Sequence, residues 1–365
     1  MEEKKEAMEV EDPKSVELKK KQAGGSGSNG AKNKNNSKDG KAPDELSEED
    51  QALKEGLELA VLRLQEPDAT LHKQALDHLV NEIRTATSSM TSVPKPLKFL
   101  RPHYDALKAV YQSMSASHSM KRPMADVMSV LAMTMAERGT RECLKFKLQG
   151  TSTNVSSWGH EFVRYLSGEI SEEYNRRQIS DSEMEEDIDV DDLLALVDDI
   201  VPFQMTHNAE AEAADLLMEC QQLSKLIDSP IVDERNHERV CLYLLRSADF
   251  LVDPDDLYSI FTTCFSIYKA QKAFTDALRV ALKIDDNDLI TELFAHVDSL
   301  TASAVLTPEK AHAIKMQMAL ILAHHRSSYS VEGDDELNAI IGNSTLSGEI
   351  LLMFCHTAIL EQSPP

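Results

Sequence analysis

The nearest approach to a catalytic spelling in this chain is His160-Glu161, which starts as the zinc-protease string His-Glu-x-x-His starts. That string works because two imidazoles four residues apart share one helix face and hold one metal, with the glutamate as base. Here the fifth position is Arg164, so the second ligand is missing. The stretch Trp158-Gly-His-Glu161 reads instead as a helical segment packed at an interhelix contact. His324-His325 is an adjacent pair. Neighbours on a helix point about 100° apart and chelate one ion poorly; the pair suits a helix end, where imidazole is favoured by the dipole. Gly25, Gly27 and Gly30 spell a literal G-x-G-x-x-G. A dinucleotide fingerprint follows a strand and opens a helix, and these glycines have low-complexity flanks. No Walker-type phosphate loop and no nucleophile–base set with a recognisable local context occurs. The sequence therefore assigns no catalytic, cofactor-binding or metal-binding residue and implies no cofactor; residues that contact partners are not assigned either.

Composition narrows the class further. The 365 residues carry 38 Lys plus Arg against 62 Asp plus Glu, a formal charge of −24. Such a surface repels phosphate backbones, so nucleic acid is not an expected partner, and basic or mixed-charge proteins are. Five scattered cysteines (Cys143, Cys220, Cys241, Cys264 and Cys355) form no C-x-x-C pair. With no apolar stretch at the N-terminus and no run near the roughly 20 residues of a membrane span, they read as reduced, mostly buried thiols. The expectation is a soluble chain of the cytoplasm and nucleus, with no membrane partner.

The elements that would position any site are helices. Residues 1–45 hold almost no large apolar side chains and balance ten acids with ten lysines, so a disordered charged tail is expected there. From Leu46 the pattern changes. Ser47 is a plausible N-cap ahead of Leu53, Leu57, Val61 and Leu64, which share one helix face. Leu71, Ala75, Leu79 and Ile83 repeat that face. Tyr104, Leu107 and Tyr111 mark a third helix, and Met124, Val127, Met128, Leu131 and Met135 a fourth. Phe162, Val163, Leu166 and Ile170 mark a helix ending near 168–174. Leu193 to Val201 mark another, with Pro202 just beyond. Further helices are expected near 208–227, 234–250, 255–269, 271–283, 286–298 and 308–325. The methionines at helical spacing, such as Met124, Met128, Met316 and Met318, suit core filling. Strand alternation and hairpin signals are missing from the ordered region. The fold class is thus all-α, an elongated, α-solenoid-like stack of amphipathic helices over 46–330, with a terminal helical segment at 331–365.

Two stretches break the rhythm. Pro94, Pro96 and Pro102 fall within nine residues, which predicts a stiff, non-helical connector from Thr87 to Tyr104. Its apolar residues (Val93, Leu97, Phe99, Leu100) suit packing on a protein surface as a linker, or docking as an extended Pro-rich segment. Residues 171–200 hold twelve acids against Arg176 and Arg177. An acidic loop is expected at about 171–192, either simply solvated or a contact for a basic partner, with Ser180 and Ser182 as candidate phosphorylation sites before acids. A calcium loop is unsupported by the spacing.

Four strings resemble one family in order and spacing: Thr87–Tyr104, Ser129-Val-Leu-Ala-Met-Thr-Met135, Ser157-Trp-Gly-His-Glu-Phe-Val-Arg164, and His207-Asn-Ala-Glu-Ala-Glu-Ala-Ala-Asp-Leu-Leu-Met218. They are similar to the N-terminal region of the non-ATPase regulatory subunit 2 family of the 26S proteasome, large scaffold subunits in the base of the regulatory particle. The resemblance runs from about Leu46 to about Met353. It implies a non-catalytic scaffold whose partners are the ATPase ring and other regulatory-particle subunits. It also implies that the family's receptor surface for ubiquitin and ubiquitin-like shuttle proteins lies in a toroid of Gly- and Ala-rich repeats. This chain has no glycine between Gly168 and Gly333, so those repeats are not expected in it, binding of such proteins is in doubt, and its ending reads as a truncation. The alternative is a free-standing helical adaptor binding another protein through its solenoid face.

Overall fold

The computed structural model describes residues 47–66, 68–87, 93–137, 139–151, 154–184, 189–228 and 231–346. All of these belong to the unit Ser47–Pro365. The charged tail expected at 1–45, the glycines at 25–30 and the segment 347–365 with Cys355 lie outside the described residues.

Among the described residues the chain is helical throughout, without strands. Helix α1 (Glu48–Gln65) starts as the sequence predicts: the Ser47 side chain accepts from the Asp50 N–H, and three acids fill the first turn. Its buried face, Leu57, Val61 and Leu64, packs on α2 (Ala69–Thr87), whose own face is Ala75, Leu79 and Ile83. The short α3 (Lys95–Leu100) comes next, followed by α4 (Tyr104–Ser113), α5 (Lys121–Met135) and α6 (Glu142–Gln149). Then come α7 (His160–Met184), α8 (Asp191–Thr206), α9 (Glu210–Glu219) and α10 (Lys225–Asp228). The last six are α11 (His237–Ser247), α12 (Pro254–Ala270), α13 (Phe274–Ile284), α14 (Asn287–Ala302), α15 (Pro308–His324) and α16 (Asp335–Ile341).

The principal contacts join helices one to three places apart in order: α1 with α2, α5 with α6, α8 with α9, α12 with α13, α15 with α16. One contact reaches further, from α2 to the 3-10 turn Val155–Trp158. A helix with one apolar face can bury it only on such neighbours, so the core runs as a seam along the helices. Met124, Met128 and Met318 are fully buried in it, as core fillers are.

Four expectations need correction. The Thr87–Tyr104 connector contains helix: α3 spans Lys95–Leu100 and a 3-10 turn spans Arg101–His103. The prolines do not prevent this because each sits at a helix start. Pro94 is the N-cap, and Pro96 and Pro102 occupy the first turns, where no N–H is needed. Leu97 and Leu100 are buried while Val93 is exposed, so the segment packs as part of the core. Second, the acidic stretch expected as a loop over 171–192 is helical through Met184, because α7, 25 residues long in all, runs on past Gly168. Burial of Ile170 and Tyr174 and the pairing of Glu173 with Arg176 and Arg177 outweigh the helix penalty of one glycine. Third, Pro202 lies inside α8, not beyond it. Gln204 and Met205 are buried past it, and their packing holds the last turn where propensity alone would end it. The span expected at 208–227 divides into α9 and α10, separated by Cys220 to Ser224.

Candidate functional site

Gly159 (φ 91°) turns the chain between the 3-10 turn and α7, so Trp158 precedes the helix that His160 opens. Trp158 is buried, with the Arg84 guanidinium 4.5 Å from its ring centre. The His160 ring lies 4.7 Å from Phe203 and 4.8 Å from His207 on and after α8. His160-Glu161 therefore marks an interhelix contact, as its sequence context suggests, and Arg164 stands exposed one turn on. His324 ends α15 and His325 caps it, their rings near-perpendicular. Among the described residues no three His, Cys, Asp or Glu side chains stand close enough to hold a metal ion. Cys143, Cys220, Cys241 and Cys264 are free and buried. Burial raises the Cys143 thiol well above its ordinary range and pushes Cys220 up to about 12, so both are thiols rather than nucleophilic thiolates at neutral pH.

Two polar constellations that sequence spacing did not reveal hold the middle of the chain together. Between α5 and α6, the Lys147 ammonium meets Asp126 Oδ1 at 3.1 Å, with the two side chains 2% and 6% exposed. Asp126 Oδ2 also accepts from the Thr151 backbone N–H at 3.2 Å and from its hydroxyl. Nearby, Glu169 of α7 accepts the Leu144 N–H at 2.8 Å, capping the start of α6, and burial raises its pKa. The second constellation organises the acidic stretch. Glu173 takes Arg176 at 2.6 Å, Arg177 at 3.1 Å and Arg141 at 3.1 Å. The Arg176 hydrogen bond leads in holding the Glu173 carboxyl down to about 2. Arg177 reaches on to Asp192 at 2.5 Å and to the Asp189 carbonyl, tying α7 to the start of α8. The side chains of Ser180 and Ser182 lie outside the described residues.

What remains open to partners is a set of clefts beside α7 and α8. One of about 610 Å³ lies between the end of α5 and α7, lined by Met133, Tyr165, Gly168 and Glu172. One of about 530 Å³ between α6 and α8 presents Asp192, Asp198 and Asp199 around Leu196. A third, about 490 Å³, joins α9 to α12, with Met218, Leu223, Leu251 and Ile260 on its floor and Glu219, Asp255 and Asp256 at its rim. Phe250 and Val252, the neighbours of Leu251, are 87% and 91% exposed. Apolar floors edged by carboxylates suit docking of basic or mixed-charge protein segments.

The family model described as the RPN1 N-terminal domain matches residues 57–361. The 26S proteasome non-ATPase regulatory subunit 2 of Dictyostelium discoideum is 45% identical over 302 residues, covering 83% of this chain and 31% of that protein. Homolog A of the same subunit from Arabidopsis thaliana is 40% identical over 326 residues, 87% of this chain and 34% of that protein. The 26S proteasome regulatory subunit rpn1 of Schizosaccharomyces pombe is 42% identical over 304 residues, 83% and 32% respectively. The chain thus spans about a third of the length of the curated relatives it matches.

Proposed function

The chain belongs to the RPN1 N-terminal domain family, and on that premise we propose that it is a non-catalytic scaffold segment of the base of the 26S proteasome regulatory particle, supporting ATP- and ubiquitin-dependent protein degradation. The observation that carries the reading is the single family match across residues 57–361, alongside relatives whose names are those of proteasome regulatory subunits. The fold supports it: a helical seam with acid-rimmed clefts offers binding area rather than an enclosed reaction site. Its expected partners are the ATPase ring and other regulatory-particle subunits, in cytoplasm and nucleus. Ubiquitin-like domains should bind these 365 residues weakly or not at all, since the resemblance puts that receptor surface in glycine-rich repeats and no glycine lies between Gly168 and Gly333.

The test is affinity isolation of the tagged chain from cells in the presence of ATP, followed by mass spectrometry and sedimentation. Regulatory-particle ATPase and non-ATPase subunits should co-purify and co-sediment with it. Sedimentation of the chain by itself, without proteasome subunits, would refute the assembly role. Imaging of the same tagged chain should place it in cytoplasm and nucleus, and confinement to a membrane-bound organelle counts against the reading. The purified chain should show no peptidase, ATPase or deubiquitinating turnover above a buffer blank.

A further inference from the structure

Between α7, α8 and α9 lies a small pocket, about 170 Å³, whose lining carries three carboxylates against one basic residue, Arg164. Its base is Gln204 of α8, which is 2% exposed. Gln204 Nε2 donates to Ser167 Oγ across 3.4 Å, while its Oε1 is buried without a hydrogen-bond partner. A buried carbonyl oxygen of this kind is costly to leave unpaired and calls for a donor. The α9 wall carries Glu212, Asp215 and Glu219. Asp215 accepts the Tyr243 hydroxyl through Oδ1 and Glu219 accepts the Asn175 amide through Oε2, so each keeps a second carboxylate oxygen for a ligand. The opposite wall, on α7, is small: Ser167, Gly168 and Ser171. A Cβ on Gly168 would meet nothing within 4 Å, so the helix surface there is open to close approach.

We infer that this pocket is the socket for an arginine side chain carried by a partner protein. Its volume lies below the roughly 300–1,000 Å³ of small-molecule sites and suits one side chain. The guests that fit an acceptor-lined, negatively charged pocket are donors with positive charge. A guanidinium brings five N–H groups in a plane and no acceptor, enough to serve the carboxylates and, once the Gln204 side chain turns toward the pocket, its buried Oε1 as well. A lysine ammonium brings three from a single point, and a water could pair with Oε1 but would not balance the carboxylates. Arg164 is the one basic residue in the lining; it is exposed and shared with the neighbouring cleft beside α5. Its charge at the mouth weakens an incoming cation. The pocket makes the same demand of any partner, within the proteasome or outside it.

The probe is a short neutral peptide with one central arginine, titrated into the isotope-labelled full chain while the Gln204 side-chain amide signals are followed by NMR. The controls carry citrulline, the same shape without charge, or lysine. The Gln204 signals should shift saturably with the arginine peptide and about tenfold less tightly with citrulline. Glu212→Gln with Glu219→Gln should weaken binding about tenfold, and Arg164→Ala should strengthen it. Gly168→Phe, whose Cβ would meet nothing within 4 Å, should fill the pocket with its ring and block binding, the melting curve checking that the fold is kept. Equal binding of citrulline, equal binding of lysine, or indifference to the paired glutamine substitutions would overturn the inference. Silence of the Gln204 signals up to tens of millimolar arginine peptide would also overturn it, leaving a buried water as the partner of Oε1.

Discussion

Substituting Lys147 by Met tests how the central helices are held. The methionine keeps most of the aliphatic stem in the α5–α6 contact, so the change is chiefly the loss of the ammonium. Asp126 then stays 6% exposed, with the Thr151 N–H and hydroxyl as its remaining donors. Breaking a buried pair costs roughly 3–5 kcal/mol because a charge is left uncompensated. The two Thr151 donors stay in place, so the expected loss is about 3 kcal/mol, at the low end. Asp126→Leu should cost a similar amount, because the buried ammonium keeps the Thr151 carbonyl but loses its counter-charge. The double variant removes both charges and should cost only about 1–2 kcal/mol, from the hydrogen bonds Thr151 makes to the pair. A double-mutant cycle in urea, followed by circular dichroism, reads the coupling directly. The decisive sign is that the double variant is more stable than either single one. If the two single costs simply add, the pair contributes no coupling and the reasoning fails.

Leu97→Asp should destabilise the body by roughly 2–4 kcal/mol, since Leu97 is 1% exposed in α3 and gains an unpaired carboxylate; an unmoved melting curve would show the segment is not core. Gly159→Ala should cost at least about 2 kcal/mol, because φ is 91° there and the new Cβ would stand 2.7 Å from the Thr87 carbonyl oxygen; thermal denaturation of the variant checks it. Glu173 has a folded pKa of about 2, below its ordinary 4.5, so its contribution to stability is complete above about pH 4.5 and fades as pH falls toward 2. The stability gap between the parent and Glu173→Gln, measured in urea across that window, should narrow on acidification; a constant gap would mean the three arginines do not act through its charge.

Much of the helical reading was available in the residues themselves. The i, i+4 faces of α1 and α2 and the Ser47 cap are local patterns that chain geometry converts into amphipathic helices without help from distant residues. The burial of Met124 and Met128, and the reduced state of the four described cysteines, followed from type and spacing in the same way. Composition and the four family strings pointed to a scaffold rather than an enzyme. Tertiary packing decided what local preference left balanced. Prolines 94, 96 and 102 favour an extended chain locally, yet burial of Leu97 and Leu100 makes their helical start positions the stable choice. Gly168 and Pro202 each weaken a helix, yet the buried residues beyond them, Tyr174 and Met205, keep α7 and α8 intact. The pairing of Asp126 with Lys147, 21 positions apart, and the empty acceptor of Gln204 carry no sequence signature. Each depends on which helix faces meet, and that is a property of the assembled seam rather than of any one helix in it.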